Sequence, residues 1–554
     1  MKAATEAVIL VVAGLAMPSC TDAGRGEEGP IFADAVSSND VRPGETGGSP
    51  DLPSDAPSVP PDASHADASG DTAGEMAVHD VPPDPGPDAA DAEEEEAPPS
   101  VCDLPVLEPQ ILYLSADDSN SQASPVIARW MIREGMAVPW TVVRTYEFLN
   151  YYDLSYPPPQ AGHVGVTAQM MPDPAEEGLY RMQIGVQSSL LEMEHRRPLN
   201  LTFSLDTSGS MAGGPLQRLK SVCRAIALNL RAGDVVSMVT WNEEQNVVLE
   251  SHVVTGGADP VLRTAIDRLV ANGTTDLHGG LVKAYELAWN NVHDGWLSRV
   301  VLVSDGQANT GITDEDLIAQ HADDEEREGI YLVGVGTGNG YDDRLMDTVT
   351  DKGKGAYIFI DSEEEAGKMF GERFLQSLEI AAMNVQVQLT LPPVLRMEVF
   401  YGEEISTSPK EVEPQHLGQN DAMIYQQTLR ACGELTPEDV IRVVASWVDP
   451  ATREPRSDTF EAPATALLEA AGAQLTKGYA VVQYAETLRT LDLAWGPETK
   501  RSACSAALAV IDQAALALDD EELREMSALL GAACDARIPY DLVPPYSAPP
   551  TEGP

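Results

Sequence analysis

Residues 201–210, LTFSLDTSGS, run an apolar stretch directly into Asp206, Ser208 and Ser210, with Gly209 between the two serines. Such an ending on a first strand places one carboxylate and two hydroxyls on a tight loop at the mouth of a sheet. Working outward, the runs VVSMVTW, RVVLVS, IYLVGVG and AYIFI alternate with helical stretches. These include PLQRLKSVCRAIALNL (215–230), DPVLRTAIDRLV (259–270), LHGGLVKAYELAWNNV (277–292) and TDEDLIAQHADDEEREG (313–329). Strands alternating with helices of this length predict an α/β fold, a doubly wound and mainly parallel sheet with helices on both faces. Ligands of such sheets bind beyond the carboxyl ends of the strands. Two further oxygens are expected in that crevice: Thr275, from the loop NGTTDLHGG, and Asp305, at the end of RVVLVS. Thr274 is the alternative to Thr275. An all-oxygen set suits a hard divalent cation, Mg²⁺ in the first place and Mn²⁺ or Ca²⁺ as alternatives.

With these residues in place, the segment 199–378 resembles a von Willebrand factor A domain, whose Rossmann-like sheet carries a metal-ion-dependent adhesion site. The resemblance implies that Ser208 and Ser210 ligate the metal through their hydroxyls and that Thr275 joins them when ligand is bound. Asp206 and Asp305 would act mainly through water or as acceptors behind the ligands. A partner protein would complete the coordination with an Asp or Glu carboxylate. The wider stretch 120–540 is similar to the YfbK-like bacterial family, in which an aromatic-rich segment precedes the A domain and a further region follows. In the resemblance, metal engagement couples to the domain's last helix, here SEEEAGKMFGERFLQSL (362–378).

Outside the A domain, the segment 102–198 contains a helical stretch, SPVIARWMIREGMAV, and a strand, YRMQIGVQSSLLEM. Its Tyr146, Phe148, Tyr151, Tyr152 and Tyr156 are read as packing rather than as a ligand surface, because such side chains bury large areas. Residues 379–462 lose the alternation: NVQVQLTLPP, RMEVFYGEE, AMIYQQTL and VIRVVASWV predict a flanking antiparallel β-sandwich. Residues 463–540 predict a C-terminal helical region of two or three amphipathic helices, and 541–554 a frayed Pro-rich tail.

The chain of 554 residues has 88 Asp+Glu against 35 Lys+Arg, a formal charge of −53, which excludes nucleic acid as a partner because a phosphate backbone needs a basic footprint. The tract 21–101 reads as a disordered acidic, Pro-rich linker. Residues 21–100 hold 20 acidic and 2 basic residues with 13 Pro, which accounts for −18 of the total; residues 1–20 are neutral, so −35 belongs to the rest. Residues 1–20, MKAATEAVILVVAGLAMPSC, have a signal-peptide layout, and Met17-Pro18-Ser19-Cys20 resembles a bacterial lipobox. A lipidated Cys20 would anchor the protein to a membrane of the bacterial cell envelope; plain secretion and an uncleaved anchor are the alternatives.

Of the other cysteines, Cys223 is expected as a buried thiol. Cys504 with Cys534 is a candidate disulfide between helices, and Cys102 with Cys432 is a further candidate. No catalytic residue is expected: the loop lacks a Gly-x-Ser-x-Gly elbow, and the histidines lack zinc-ligand spacing. His278, near Thr275, is read as a polar residue at a helix start. The expected function is an envelope-anchored, metal-dependent binding protein of adhesion type. The rivals are an assembly scaffold with a structural metal and an enzyme with an unrecognised site.

Overall fold

The computed structural model describes residues 101–103, 108–117, 120–154, 156–174, 176–306, 329–338, 343–353, 355–469, 472–494 and 496–537. The signal peptide with Cys20, the acidic tract, the helix read at 313–329 (all but Gly329) and the tail 541–554 lie outside these residues. In chain order the body opens with β1 (Gln110–Ser115), α1 (Ala123–Arg133), α2 (Thr145–Tyr151) and a hairpin of β2 (Val164–Pro172) and β3 (Leu179–Ser188). The alternating part then runs β4 (Leu199–Asp206), α3 (Gly214–Leu228), β5 (Val235–Trp241), β6 (Gln245–Val253), α4 (Pro260–Asp267), α5 (Leu277–Trp289) and β7 (Leu297–Ser304). It ends with β8 (Ile330–Gly336), α6 (Asp343–Lys352), β9 (Tyr357–Phe359), α7 (Glu363–Gly367) and α8 (Phe374–Leu378).

The sheet order β6-β5-β4-β7-β8-β9 is parallel apart from β6, which pairs antiparallel with β5. Every residue of β4, β5, β7 and β8 is buried. Helices cover both faces, which is why these strands read as continuous apolar runs instead of alternating ones. Some polar side chains inside the layer find partners locally, whereas Asn200 Oδ1 and Thr202 Oγ1 have none among the described residues. Asn200 donates to the Ala288 carbonyl at 2.8 Å, and the Trp241 indole donates to Ser204 at 3.0 Å. Gly280 lets α5 lie against that indole, since a Cβ there would come within 2.3 Å of the ring. The chain leaves β4 for β5 on one side and later returns to β7 on the other. The carboxyl ends of β4 and β7 therefore flank a switch point.

The stretch read as a single last helix, 362–378, is broken. Between α7 and α8 the backbone makes a π turn over Lys368–Glu372. Gly367 and Gly371 weaken helix propensity there, and a π turn takes up one extra residue. Arg129 of α1 holds the start of this region, donating to Asp361 at 2.9 and 2.8 Å and to Glu365 at 2.8 Å.

Strands β10 (Ile380–Leu391), β11 (Leu395–Phe400), β12 (Glu404–Ser406), β13 (Gln415–Gly418), β14 (Ala422–Ala431), β15 (Val440–Val448) and β16 (Pro455–Pro463) follow. They form the expected sandwich, but not alone. One sheet is β12-β1-β10-β15-β16, with β13 also on β10; the other is β11-β14-β3-β2. The segments 102–198 and 379–462, read from the sequence as successive modules, therefore share both sheets. Leu112 of β1 sits opposite Leu389, and Ile184 of β3 opposite Tyr425. The shared core takes Leu114, Met170 and Val186 from one segment and Val387, Val443 and Trp447 from the other. Alternating strands reveal which face is buried but not which strand lies alongside, so this interleaving was invisible in the pattern.

The C-terminal region comprises α9 (Ala464–Glu469), α10 (Ala473–Leu493), α11 (Pro497–Leu518) and α12 (Glu521–Arg537). Helix α10 is buried along most of its length, with the Tyr484 ring meeting Phe148 of α2 edge-on at 5.6 Å. Phe148, Tyr151, Tyr152 and Tyr156 are all buried, in line with their reading as packing, and Tyr146 is half-buried. Both candidate disulfides are formed. Cys504–Cys534 staples α11 to α12, and Cys102–Cys432 ties the start of the body to the end of β14. Cys223 is a buried free thiol.

Candidate metal centre

Asp206 ends β4 fully buried, with each carboxylate oxygen already engaged. The Ser208 amide donates to Oδ1 at 2.8 Å, and the Ser304 hydroxyl donates to Oδ2 at 2.7 Å. Ser304 in turn accepts from the Gly306 amide at 3.0 Å, which fixes the turn carrying Asp305. The Ser208 and Ser210 hydroxyl oxygens lie 3.1 Å apart, one buried and the other exposed. The 206–210 loop is stitched to the 272–275 loop by backbone bonds: Gly209 donates to the Gly273 carbonyl at 3.0 Å and Asn272 to that of Thr207 at 2.8 Å. These bonds bring the two sequence-distant halves of the predicted set to one crevice.

Within the second loop the two threonines differ. Thr275 is 1% exposed, whereas Thr274 is exposed and its amide donates to Glu243 Oε2 at 3.0 Å. Gly273 has φ +81°, and a Cβ there would fall 2.0 Å from the same Glu243 oxygen, so the loop requires glycine. Asp276 caps α5, accepting from the Gly279 amide at 3.0 Å and from Gln245 at 2.8 Å. His278 lies half-buried in the first turn of α5, the helix-start position read from the sequence. Asp305 is 2% exposed, and Gly338, after β8, leaves room for it, since a Cβ at 338 would stand 3.2 Å from Asp305 Cβ. Ser304 and Glu243 were missed in the sequence. Ser304 had a signal, as the last strand residue before Asp305; Glu243 had none.

Burial pushes the Asp206 carboxyl up to about 6; its hydrogen bonds from Ser208 and Ser304 oppose the shift, and the charge of Asp305 adds to it. Asp206 forms no ion pair with a Lys or Arg among the described residues. Two buried carboxylates with hydroxyls beside them fit a hard cation that takes oxygen ligands. Among the described residues no three His, Cys, Asp or Glu side chains converge in a metal-sized cluster.

The family model of the von Willebrand factor type A domain matches residues 200–372. This part of the chain is a VWA domain. The Escherichia coli (strain K12) protein YfbK is 28% identical over 286 residues, 50% of this chain and 49% of that protein. The inter-alpha-trypsin inhibitor heavy chain H1 of Homo sapiens is 21% identical over 244 residues, 42% of this chain and 26% of that protein. The chain thus spans about half the length, or less, of these relatives. The solved structure described as a von Willebrand factor type A from Catenulispora acidiphila aligns with a TM-score of 0.43 at 14% identity, covering 65% of this chain and 89% of its own. VWA domains mediate protein–protein interaction, so the chain carries an interaction module.

Proposed function

We propose that the VWA domain binds a partner protein through a divalent cation held by Asp206, Ser208, Ser210, Thr275 and Asp305. Mg²⁺ is the leading candidate, with Mn²⁺ or Ca²⁺ as alternatives. The observation that carries this reading is the buried, mutually unfavourable pair of carboxylates beside the Ser208 and Ser210 hydroxyls. When bound, the cation supplies an electropositive point on which an Asp or Glu of the partner can settle. The residues of the chain do the positioning. Ser304 and the Ser208 amide hold the Asp206 carboxylate in one orientation, and the backbone bonds between the loops hold the segment carrying Thr275 beside the serine loop. Because the protein carries −53, an acidic partner is repelled at a distance and gains affinity at contact range.

In this reading the protein is a non-enzymatic envelope protein, lipid-anchored at Cys20, with the acidic tract as a spacer. The two disulfides support export to an oxidising compartment. They also account for four of the six cysteines; Cys223 is buried, which leaves Cys20 for lipid. Metabolic labelling with palmitate tests the anchor: Cys20→Ser abolishes incorporation, and equal labelling of both chains refutes it.

The test of adhesion is capture from envelope extracts by wild type, Asp206→Ala and Asp305→Ala, each with and without chelator, with circular dichroism confirming the fold. Partners lost on chelation and in both variants support the reading. The same partners in every condition refute it, and favour a scaffold whose metal is structural.

A further inference from the structure

A cavity of about 310 Å³ lies where three parts of the chain meet, away from the metal loop. Its walls are the end of α2 with the residues after it, the π turn leading into α8, and the start of β14. Tyr152, Leu154, Leu375 and Ile424 give it a buried apolar floor. Two opposite charges also line it. Arg373 donates from Nη1 to the Tyr151 carbonyl at 2.7 Å, and no carboxylate among the described residues pairs with it. Asp421 accepts on Oδ1 from Gln376 at 2.6 Å and from the Ala422 amide at 2.8 Å, and no cation among the described residues pairs with it. The two charges sense each other without forming an ion pair: burial pushes the Asp421 carboxyl up to about 7, and Arg373 works against that shift. The wall is fixed by Asn420, whose amide exchanges two hydrogen bonds with the Leu191 backbone, at 2.7 and 3.0 Å.

The chemistry of an occupant follows by elimination. An anion meets the exposed rim carboxylates Asp153 and Glu372 and a chain of charge −53. A bare cation leaves Arg373 opposed, and an apolar molecule desolvates both charges without compensation. We infer that this cavity binds a small zwitterion, a free α-amino acid with an apolar side chain. Its carboxylate would face Arg373, its ammonium Asp421, and its side chain the apolar floor. The volume is at the lower end of that of small-molecule sites, which span roughly 300–1,000 Å³ and so suits a molecule of this size. Because the π turn, α2 and β14 each supply a wall, the occupant would hold the VWA domain to the sandwich.

Isothermal titration of the full chain with L-leucine and L-methionine tests this, with 4-methylpentanoate as the carboxylate alone and 3-methylbutylamine as the amine alone. Expected are saturable one-to-one binding of at least one of the two amino acids and at least tenfold weaker binding of both controls. A loss of tenfold or more is expected in Arg373→Gln and Asp421→Asn. Ala422→Met fills the cavity while leaving both charged side chains present and should abolish binding, so the test survives if a charge variant fails to fold. No binding of either amino acid, equal binding of either control, or wild-type binding by folded Ala422→Met overturns the proposal.

Discussion

The VWA sheet and the sandwich beside it are assembled by opposite rules. In the sheet every paired strand comes from within residues 199–359, although the core beneath it also takes Val126 and Ile127 of α1 and Phe370 and Phe374 beyond the last strand. In the sandwich β1 pairs with β10 and β3 with β14, so strands before the VWA domain pair with strands after it in both sheets. The VWA domain is therefore an insertion into the sandwich, and its two ends must meet. They do: Arg197 pairs with Glu379 at 3.1 Å, and buried Arg299 of β7 donates to the Leu378 carbonyl at 2.8 Å. An insertion anchored at both ends transmits displacement of its last helix to its host more directly than a domain on a single linker would.

The strongest way to break this comparison is excision. Residues 380–463 expressed alone should not fold, because β1, β2 and β3 are missing from both sheets; a dispersed amide spectrum from that fragment would refute the interleaved topology. Next is the covalent tie across the insertion. Cys432→Ala should cost about 3–5 kcal/mol in denaturant unfolding, and Cys504→Ala, which opens a much shorter loop, about 2–4 kcal/mol. A Cys432→Ala loss no larger than that of Cys504→Ala would mean that loop length does not set the stabilisation by the Cys102–Cys432 bond.

A smaller effect is expected at the contact between the π turn and the C-terminal helices. Lys368 donates to Glu522 at 3.1 Å and Lys477 to the same carboxylate at 2.8 Å. Burial opposes ionisation of Glu522, but the two lysines outweigh it and hold the carboxyl down to about 2. A depressed folded value stabilises fully above the unfolded value of about 4.5, and that stability is lost as pH falls toward 2. Lys368→Met should cost about 1–2 kcal/mol at neutral pH and move acid unfolding to higher pH. An unchanged acid midpoint would show that Lys477 suffices. Smallest in stability are the two threonines. Thr274→Ala and Thr275→Ala should each change stability by about 1 kcal/mol or less, yet Thr275→Ala alone should weaken Mg²⁺ binding in calorimetry. The reverse order would make Thr274 the ligand.

The VWA domain could be read directly because its signals are local. LTFSL and RVVLVS announce buried parallel strands, and Asp206, Ser208, Ser210 and Asp305 follow at their ends. Asp276 beside the threonines caps α5, a role set by where that helix begins. The break in the last helix was hidden because Gly367 and Gly371 only weaken a helical pattern, and whether a π turn forms depends on what packs around it.

The strand runs, the oxygen-rich loop and the paired spacing of Cys504 and Cys534 on neighbouring helices were readable from residue order, since each depends on neighbours within a turn, a strand or a hairpin. Tertiary structure alone decided that β1 and β3 cross the VWA domain to reach β10 and β14, that Thr275 and not Thr274 is buried at the crevice, and that Arg373 and Asp421 line one cavity. Those outcomes depend on burial and pairing between residues far apart in the chain. Hydrophobic alternation specifies that a face must be covered but not which distant segment covers it.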